Sequence, residues 1–273
     1  MFRLRSWASS MMIALSRHGR WRNPLAGAVI PTGGPTIAGV GAVVLAYVAL
    51  AFAATSWLVP AAAQSQPLEP GTDAWHRAQS ADGFARCAAS VLMALMLLQA
   101  RRAPPRDAHR PGVLRAVAMS VLALLALLPV ATAQLELGEL IWKWSHPGAT
   151  PPVHIVLRAL GHSDWGVGGI VQLSVEAVVL APLSEELFFR GMLLQALCYH
   201  GWRAWPAVLL SSVAFGLVHG QPQDVLPLVT MGLVLGYVRL RCGALWPCIL
   251  MHMLFNARTI AVALLAPELD PSV

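Results

Sequence analysis

Long uninterrupted apolar runs are the feature of this sequence that most constrains its fold. A helix that crosses the hydrocarbon core of a bilayer needs roughly 20 apolar residues. Strands of a membrane barrel would instead alternate between polar and apolar positions, which these runs do not. The sequence therefore predicts an all-α, polytopic transmembrane bundle of about seven to eight spans. The seven runs cover approximately residues 36–59, 84–100, 113–135, 168–199, 205–219, 225–238 and 244–266.

Composition supports the same class of protein. Hydrophobic residues make up 57% of the 273-residue chain, and charged residues only 12%. Soluble domains usually carry about 25% charged residues, so this chain has too few charges to cover a water-exposed globule. A disordered chain is excluded for the same reason. We expect the lipid bilayer to be the main surroundings of the protein.

The arginines indicate the orientation of the bundle. The net charge is +6, but the basic residues cluster in two blocks beside apolar runs, which is typical of cytoplasmic flanks under the positive-inside rule and not of a nucleic-acid surface. We therefore predict no nucleic-acid partner, a cytoplasmic N-terminus and an integral protein of a bacterial inner (cytoplasmic) membrane. The blocks are Arg3, Arg5, Arg17, Arg20 and Arg22, and Arg101, Arg102, Arg106, Arg110 and Arg115.

We predict four regions along the chain. Residues 1–35 form a basic N-terminal tail that is cytoplasmic or interfacial, and residues 36–166 form an N-terminal transmembrane region with a Trp-rich interfacial loop from 136. Residues 167–266 form the transmembrane core that carries the candidate site, and 267–273 a C-terminal tail. Residues 61–64 resemble a signal-peptidase site, but the preceding basic region is too long for a typical cleaved signal. The sequence leaves open whether residues 136–166 contain an eighth helix.

Ionisable residues inside the later runs are the best indicators of function. By insertion scales each costs roughly 3 kcal/mol at mid-membrane, so such residues are rare and usually functional. Their spacing groups them, because residues four apart share one helix face. The pairs at this spacing are Glu186 with Arg190, Phe215 with His219, and His252 with Asn256, and Glu185 lies beside the first. Counting along the runs places these groups at similar depths, so they can converge.

Other polar residues of this region carry weaker signals. Glu176, Asp224 and Arg258 have no obvious partner in the sequence. A single intramembrane His is more often a hydrogen-bonding residue between helices than a catalyst, and Glu186 with Arg190 alone could be a structural tie. The combination of two adjacent carboxylates, two His and one Asn is what favours a functional site.

These residues fit three known motifs in order. Residues 185–190 read EELFFR and fit EExxxR, residues 215–219 read FGLVH and fit FxxxH, and residues 252–256 read HMLFN and fit HxxxN. The set resembles the CPBP family of intramembrane endopeptidases, which includes type II CAAX prenyl proteases and proteins of bacteriocin self-immunity. The resemblance covers about residues 181–256, while the first three runs carry no signature of it.

The resemblance implies hydrolysis of a peptide bond in a membrane-associated protein or peptide. By motif position, Glu185 is the general base that activates water, and His219 helps to hold that water. His252 and Asn256 steady the oxyanion or bind a metal, while Glu186 and Arg190 position the others. The site residues are then Glu185, Glu186, Arg190, His219, His252 and Asn256.

The sequence leaves open whether a metal takes part in the reaction. Only His219 and His252 are candidate zinc ligands if Glu185 serves as the base, and the sequence contains no HExxH motif. A catalytic zinc would lower the pKa of bound water. Water activated by a glutamate alone accounts for the same residues, and we favour this metal-free form over zinc as a cofactor.

Two other functions compete with an endopeptidase. A non-catalytic binding or immunity protein of the same family would use the cavity for a partner, although it has little need of paired buried carboxylates. A small-solute or proton-coupled transporter would also use intramembrane Glu and His, but it would be expected to contain internal repeats and Gly/Pro-broken helices in matching positions, and we find neither.

Overall fold

The predicted all-α architecture is confirmed. The computed structural model describes residues 34–59, 72–100, 110–148, 160 and 166–265, and these residues form helices and no strand. Seven principal helices occur among them. They are α1 (Ile37–Leu58), α2 (Asp73–Gln99), α3 (Val113–Ser145), α4 (Gly166–Tyr199), α5 (Ala204–Leu217), α6 (Val225–Cys242) and α7 (Trp246–Leu265).

Six of the seven helices are long and apolar enough to cross a membrane, and the exception is α5. Its 14 residues span about 21 Å, which is less than the roughly 30 Å of a hydrocarbon core. Together the six long helices make the chain an integral membrane protein. The seven predicted runs correspond one to one with the seven helices.

The predicted boundaries differ most from the observed ones in α2 and α3. Helix α2 begins at Asp73 rather than near 84, because its first turns are polar and its start is fixed by Thr72, whose side chain accepts a hydrogen bond from the N–H of Trp75. Helix α3 continues to Ser145 rather than ending near 135. A search for apolar runs cannot detect such polar helical turns.

Several predictions fall outside the described residues. They concern most of the basic tail (1–33), the signal-peptidase-like site at 61–64, the Arg-rich loop at 101–109 and the tail at 266–273. Of the Trp-rich segment, residues 136–145 continue α3, whereas 149–159 and 161–165, where an eighth helix could lie, are not described.

The main core lies between α3, α6 and α7. Leu127 of α3, Leu235 of α6 and Met251 of α7 are among its buried members. Ser120 of α3 donates a hydrogen bond of 3.0 Å to the carbonyl of Pro247, which ties the start of α7 to α3. This core fixes α7, the helix that carries His252 and Asn256.

Helices α5 and α6 pack unusually closely because of small residues. A Cβ atom added to Gly232 would lie 2.9 Å from both Cα and Cβ of Ser212, and one added to Gly236 would lie 2.8 Å from Val208. Small residues allow helix backbones to approach in this way. The close contact continues at Gly216, where an added Cβ would lie 3.0 Å from the carbonyl oxygen of Val225, so the start of α6 lies beside the end of α5, where His219 follows.

Helix α4 contains two π-helical segments around the candidate site. They are Glu176–Leu180 and Leu187–Leu193, separated by the α-helical turns Ala181–Glu186. Pro182 follows the first segment and has no N–H to donate, which accounts for the irregular hydrogen bonding there. Side chains of other helices bond to carbonyls of both segments: Asn256 to Ala177 at 2.8 Å and Ser211 to Phe189 at 3.1 Å. Functional sites often contain such segments.

Candidate active site

Five of the six predicted site residues come together at one place in the bundle. Glu185, Glu186 and Arg190 come from α4, His219 from the turn after α5, and His252 from α7. Three elements that are distant in sequence thus meet at one carboxylate pair. The sequence predicted this convergence from spacing and depth.

Glu185 faces both histidines through one carboxylate oxygen. Its Oε2 lies 3.9 Å from Nε2 of His219 and 3.8 Å from Nε2 of His252. These distances are too long for direct hydrogen bonds. The Glu185 side chain is 19% exposed, so it is not sealed in the core as Glu186 is.

His219 lies just beyond the end of α5 rather than inside a span. The helix ends at Leu217, and Gly220 takes a left-handed conformation with φ of 68°. The Nδ1 atom of His219 lies 2.7 Å from the carbonyl oxygen of Phe215, which lacks its intrahelical partner at the helix end. Because a carbonyl only accepts, Nδ1 carries the hydrogen, and Nε2 faces Glu185 as an acceptor in the neutral ring. The predicted extension of the span to 219 is therefore wrong by two residues.

His252 is held by a buried ion pair. Its Nδ1 atom lies 3.0 Å from Oε1 of Glu186, and Arg190 donates to the same oxygen from Nη1 at 2.7 Å. Glu186 and Arg190 are almost completely buried, with side chains 0% and 1% exposed. The guanidinium also donates from Nη2 to the carbonyl of Gly232 at 3.2 Å. Oε2 of Glu186 is buried without a hydrogen-bond partner among the described residues.

Phe215 forms the apolar wall that the charged groups share. Its ring lies 4.6 Å from the guanidinium carbon of Arg190, a cation–π distance. The same ring makes edge contacts with His219 and His252, with centroids 4.9 and 5.8 Å apart. The sequence motif included Phe215 without giving it a role, and the structure shows it in contact with three site residues.

Asn256 lies one turn beyond His252 on α7, and its hydrogen bond goes to the backbone. Nδ2 of Asn256 donates to the carbonyl of Ala177 at 2.8 Å, within the first π segment of α4. This bond connects α7 with α4 near the site. The structure describes no contact between Asn256 and Glu185.

The sequence did not indicate a fourth element of this site, which comes from α2. Arg86 places Nη1 3.6 Å from Oε1 of Glu185. Its Nε atom also forms an ion pair with Asp82 one turn earlier, and Asp82 accepts a hydrogen bond from the hydroxyl of Tyr47 on α1. The available signal was an Arg inside an apolar run with an Asp four residues before it.

The weaker candidates have other surroundings. Glu176 has a partner, contrary to expectation, because Gln172 donates to its Oε1 atom at 3.0 Å and to Ser80 at 3.1 Å. This polar group joins α4 to α2. Arg258 is exposed on α7.

Glu185, His219 and His252 carry atoms of the types that bind zinc, but the Glu185 oxygen lies farther from the imidazole nitrogens than ligands of one zinc ion do. Zinc bonds of about 2.0–2.1 Å bring tetrahedral ligand atoms roughly 3.4 Å apart, whereas Oε2 of Glu185 lies 3.8 and 3.9 Å from the two imidazole nitrogens. Within the described ranges, no group of three or more His, Cys, Asp or Glu side chains is arranged to hold a metal ion. The two imidazoles nonetheless have their Nδ1 atoms held by acceptors, as metal-binding histidines often do.

The fold and the site define the class of protein: an integral membrane protein of helices with a carboxylate and two imidazoles at a junction of three elements. Residues 167–258 match the family model of Rce1-like proteins, described as type II CAAX prenyl endopeptidase Rce1-like. The predicted resemblance to the CPBP family is confirmed for this part of the chain. The match begins at the start of α4, earlier than the motifs alone indicated.

Two curated proteins are similar to part of this chain. One is an Escherichia coli protein with the name "Uncharacterized 24.3 kDa protein", 32% identical over 95 residues that cover 33% of this chain and 44% of the relative. The other is a Bacillus subtilis (strain 168) protein with the name "Putative membrane peptidase YdiL", 30% identical over 86 residues that cover 32% of this chain and 35% of the relative. The chain thus spans less than half the length of either relative. No solved structure matches it.

Proposed function

We propose that this protein is an intramembrane endopeptidase that hydrolyses a peptide bond of a membrane-associated protein or peptide with water activated by Glu185. One observation carries the proposal: Oε2 of Glu185 faces Nε2 of both His219 and His252 at 3.9 and 3.8 Å. The similarity of residues 167–258 to an endopeptidase family supports the same reaction class.

The geometry suits a general-base mechanism. A water molecule between the three groups donates one hydrogen to Oε2 of Glu185 and the other to Nε2 of His219. Glu185 takes the proton as the water oxygen attacks the carbonyl carbon of the substrate. The tetrahedral intermediate then collapses, the C–N bond breaks, and Glu185 returns the proton to the leaving nitrogen. The products are one carboxylic acid and one amine.

The buried pair of Glu186 and Arg190 supports His252 in this mechanism. Nδ1 of His252 is bound to Glu186, so only Nε2 faces the reaction. His252 can donate to an oxyanion when both ring nitrogens carry hydrogens, and the Glu186 carboxylate pairs with that charged ring. Arg190 keeps Glu186 in place through the 2.7 Å contact. Fixed donors near the developing negative charge are usually the largest contribution to catalysis of this kind.

Asn256 has a positioning part in the proposal. Its bond to Ala177 holds α7 against the first π segment of α4. This contact keeps His252, one turn earlier on α7, in register with Glu185 and Glu186.

We favour water activated without a metal. If zinc were bound, Nε2 of His219 and of His252 would hold it, and it would supply a more acidic water and polarise the substrate carbonyl. If Glu185 were also a ligand, its Oε2 atom would need to approach each imidazole nitrogen by about half an ångström to reach zinc-site spacing. Every step above is assigned to protein groups alone.

The basic residues support a cytoplasmic location for one end of the bundle. Arg110 precedes α3, Arg203 precedes α5, and Arg239 and Arg241 lie in the last turn of α6. Arg110 and Arg239 lie close enough to interact electrostatically. We propose that this end faces the cytoplasm, with the N-terminus, in a bacterial inner membrane.

Two experiments test the proposal. In the first, purified protein in proteoliposomes is given an internally quenched prenylated peptide that ends in a CAAX sequence, the substrate class in the family description. In the second, membrane and released peptides are compared between cells that express the wild type and cells that express Glu185→Gln. We expect Glu185→Gln to lose cleavage of the prenylated peptide, and some cellular peptides to appear only with the wild type.

Glu139→Gln is the matched control. Glu139 lies on α3 in an exposed pair with Lys143, a residue that has no part in the proposed site. It should keep wild-type cleavage. Full turnover by Glu185→Gln would refute the proposal. If the function of the protein in cells survives every substitution of the cluster, a non-catalytic binding or immunity protein would be favoured instead.

A further inference from the structure

Glu185 divides its two carboxylate oxygens between different partners. Oε2 faces the two imidazoles, whereas Oε1 faces Nη1 of Arg86 at 3.6 Å. A carboxylate can rotate about its last bond, so a general base needs something to hold one oxygen toward the reacting water. The guanidinium of Arg86 is the positive group that faces the other oxygen.

Arg86 is itself held by contacts that begin on α1. Its Nε atom pairs with Oδ2 of Asp82 one turn earlier on α2. Oδ1 of Asp82 accepts a hydrogen bond from the hydroxyl of Tyr47. A continuous series of polar contacts therefore runs from α1 through α2 to Glu185 on α4.

We propose that Arg86 is a positioning residue for Glu185, and that Asp82 and Tyr47 hold Arg86 in the orientation this requires. The inference rests on the proposed function, since it assigns how the base of that reaction is oriented. It extends the active site to α1 and α2, which lie outside the 167–258 match to the endopeptidase family.

The loose pair between Arg86 and Glu185 is better suited to orientation than to stability. The side chains are 31% and 19% exposed and their charged atoms lie 3.6 Å apart. Ion pairs with this exposure contribute less to stability than buried pairs do, although their coupling is still measurable in a double-mutant cycle. The buried pair of Glu186 and Arg190, at 2.7 Å, is the structural one.

The kinetic test compares three variants with the prenylated peptide. Arg86→Gln removes the charge, Arg86→Lys keeps it, and Arg77→Gln is the matched control, since Arg77 is exposed on the same helix nine residues earlier and on the opposite side. We expect Arg86→Gln to lower kcat by about 10- to 100-fold, the size of effect that follows from a misplaced reacting group. KM should stay near the wild-type value, Arg86→Lys should recover part of kcat, and Arg77→Gln should match the wild type.

Two kinetic outcomes would overturn the inference. Wild-type kcat in Arg86→Gln would show that Glu185 needs no help from Arg86. A higher KM with unchanged kcat would show that Arg86 binds substrate instead. Asp82→Asn should lower kcat in the same direction as Arg86→Gln but by less, because the charge of Arg86 remains.

A second measurement does not depend on cleavage. Thermal unfolding in detergent is followed for Arg86→Gln, Glu185→Gln and the double variant. If the two side chains interact, Arg86→Gln lowers Tm less in the Glu185→Gln background than in the wild type. Additive losses would overturn the pairing even if no peptide is cleaved, whereas non-additive losses without cleavage of either the prenylated peptide or any cellular peptide would contradict only the proposed function.

Discussion

Nδ1 of His252 and Nη1 of Arg190 contact the same carboxylate oxygen, Oε1 of Glu186, from two different helices. This buried junction joins α4 to α7 through the same imidazole whose Nε2 atom faces Glu185. The ion pair that spacing predicted is therefore also the support of a candidate catalytic residue.

Glu186→Gln should destabilise the protein strongly. The substitution leaves the Arg190 guanidinium buried without a carboxylate, and breaking a buried pair in this way costs about 3–5 kcal/mol. Glu139→Gln makes the same chemical change in the exposed pair with Lys143, where about 0.3–0.5 kcal/mol is expected. Thermal unfolding of both variants in detergent measures the difference. Equal Tm values would mean that the Glu186 pair does not hold the bundle.

His219→Ala should separate activity from stability. His219 lies in the turn after α5 with a side chain 24% exposed, so its removal loses one hydrogen bond to Phe215, about 1 kcal/mol. Cleavage of the prenylated peptide should fall by about 10²- to 10⁴-fold if His219 holds the water. His200→Ala, in the exposed turn after α4, is the control and should cleave normally. A severe loss of Tm in His219→Ala would assign this side chain a structural role instead.

Gly232→Ala should weaken both the packing of α5 on α6 and the site. The added Cβ would lie 2.9 Å from Ser212, and the carbonyl of Gly232 accepts from Arg190. Overpacking of this kind costs about 1–3 kcal/mol. Gly168→Ala is the control, because a Cβ there meets nothing within 4 Å. Measured Tm values should fall only for Gly232→Ala, and an unchanged Tm would show that the two helices can separate freely.

Metal removal should leave activity unchanged. We expect cleavage of the prenylated peptide to continue in protein dialysed against a chelator, because the mechanism assigns every step to side chains. Metal content is measured on the same sample, so that incomplete removal is recognised. Loss of turnover with the chelator and its return with added zinc would contradict the metal-free form and make His219 and His252 the candidate ligands.

The sequence predicted the helices and the convergence of the motifs for a physical reason. Burial in lipid requires long apolar runs, and intramembrane charges are rare enough to stand out, so Glu185, Glu186, Arg190, His219 and His252 could be selected. Spacing alone could not show where the side chain of Asn256 would bond. Its partner is a carbonyl of α4, and nothing in the sequence marks a carbonyl as available.

Arg86 shows a different limit. Arg86 lies in a helix whose first turns are polar. A search for apolar runs therefore placed the start of this helix too late in the sequence and left Asp82 in the preceding loop. Its partner Glu185 lies on a helix far along the chain, and no local spacing rule connects the two. A contact between helices that are far apart in the sequence can be identified only when the packing of the helices is known.

The two π-helical segments affect how α4 would respond to the insertion or deletion of a residue. A π turn holds one more residue than the α turn it replaces, so loss of one residue from Glu176–Leu180 would allow that stretch to become regular α-helix. Because a π turn and the shorter α turn that would replace it both complete about one revolution, the later side chains would keep nearly the same angular position relative to the first half of the helix. A deletion in the regular turns Ala181–Glu186 would instead rotate every later side chain by about 100°, so the π segments are the places where this helix can lose a residue and keep its site aligned.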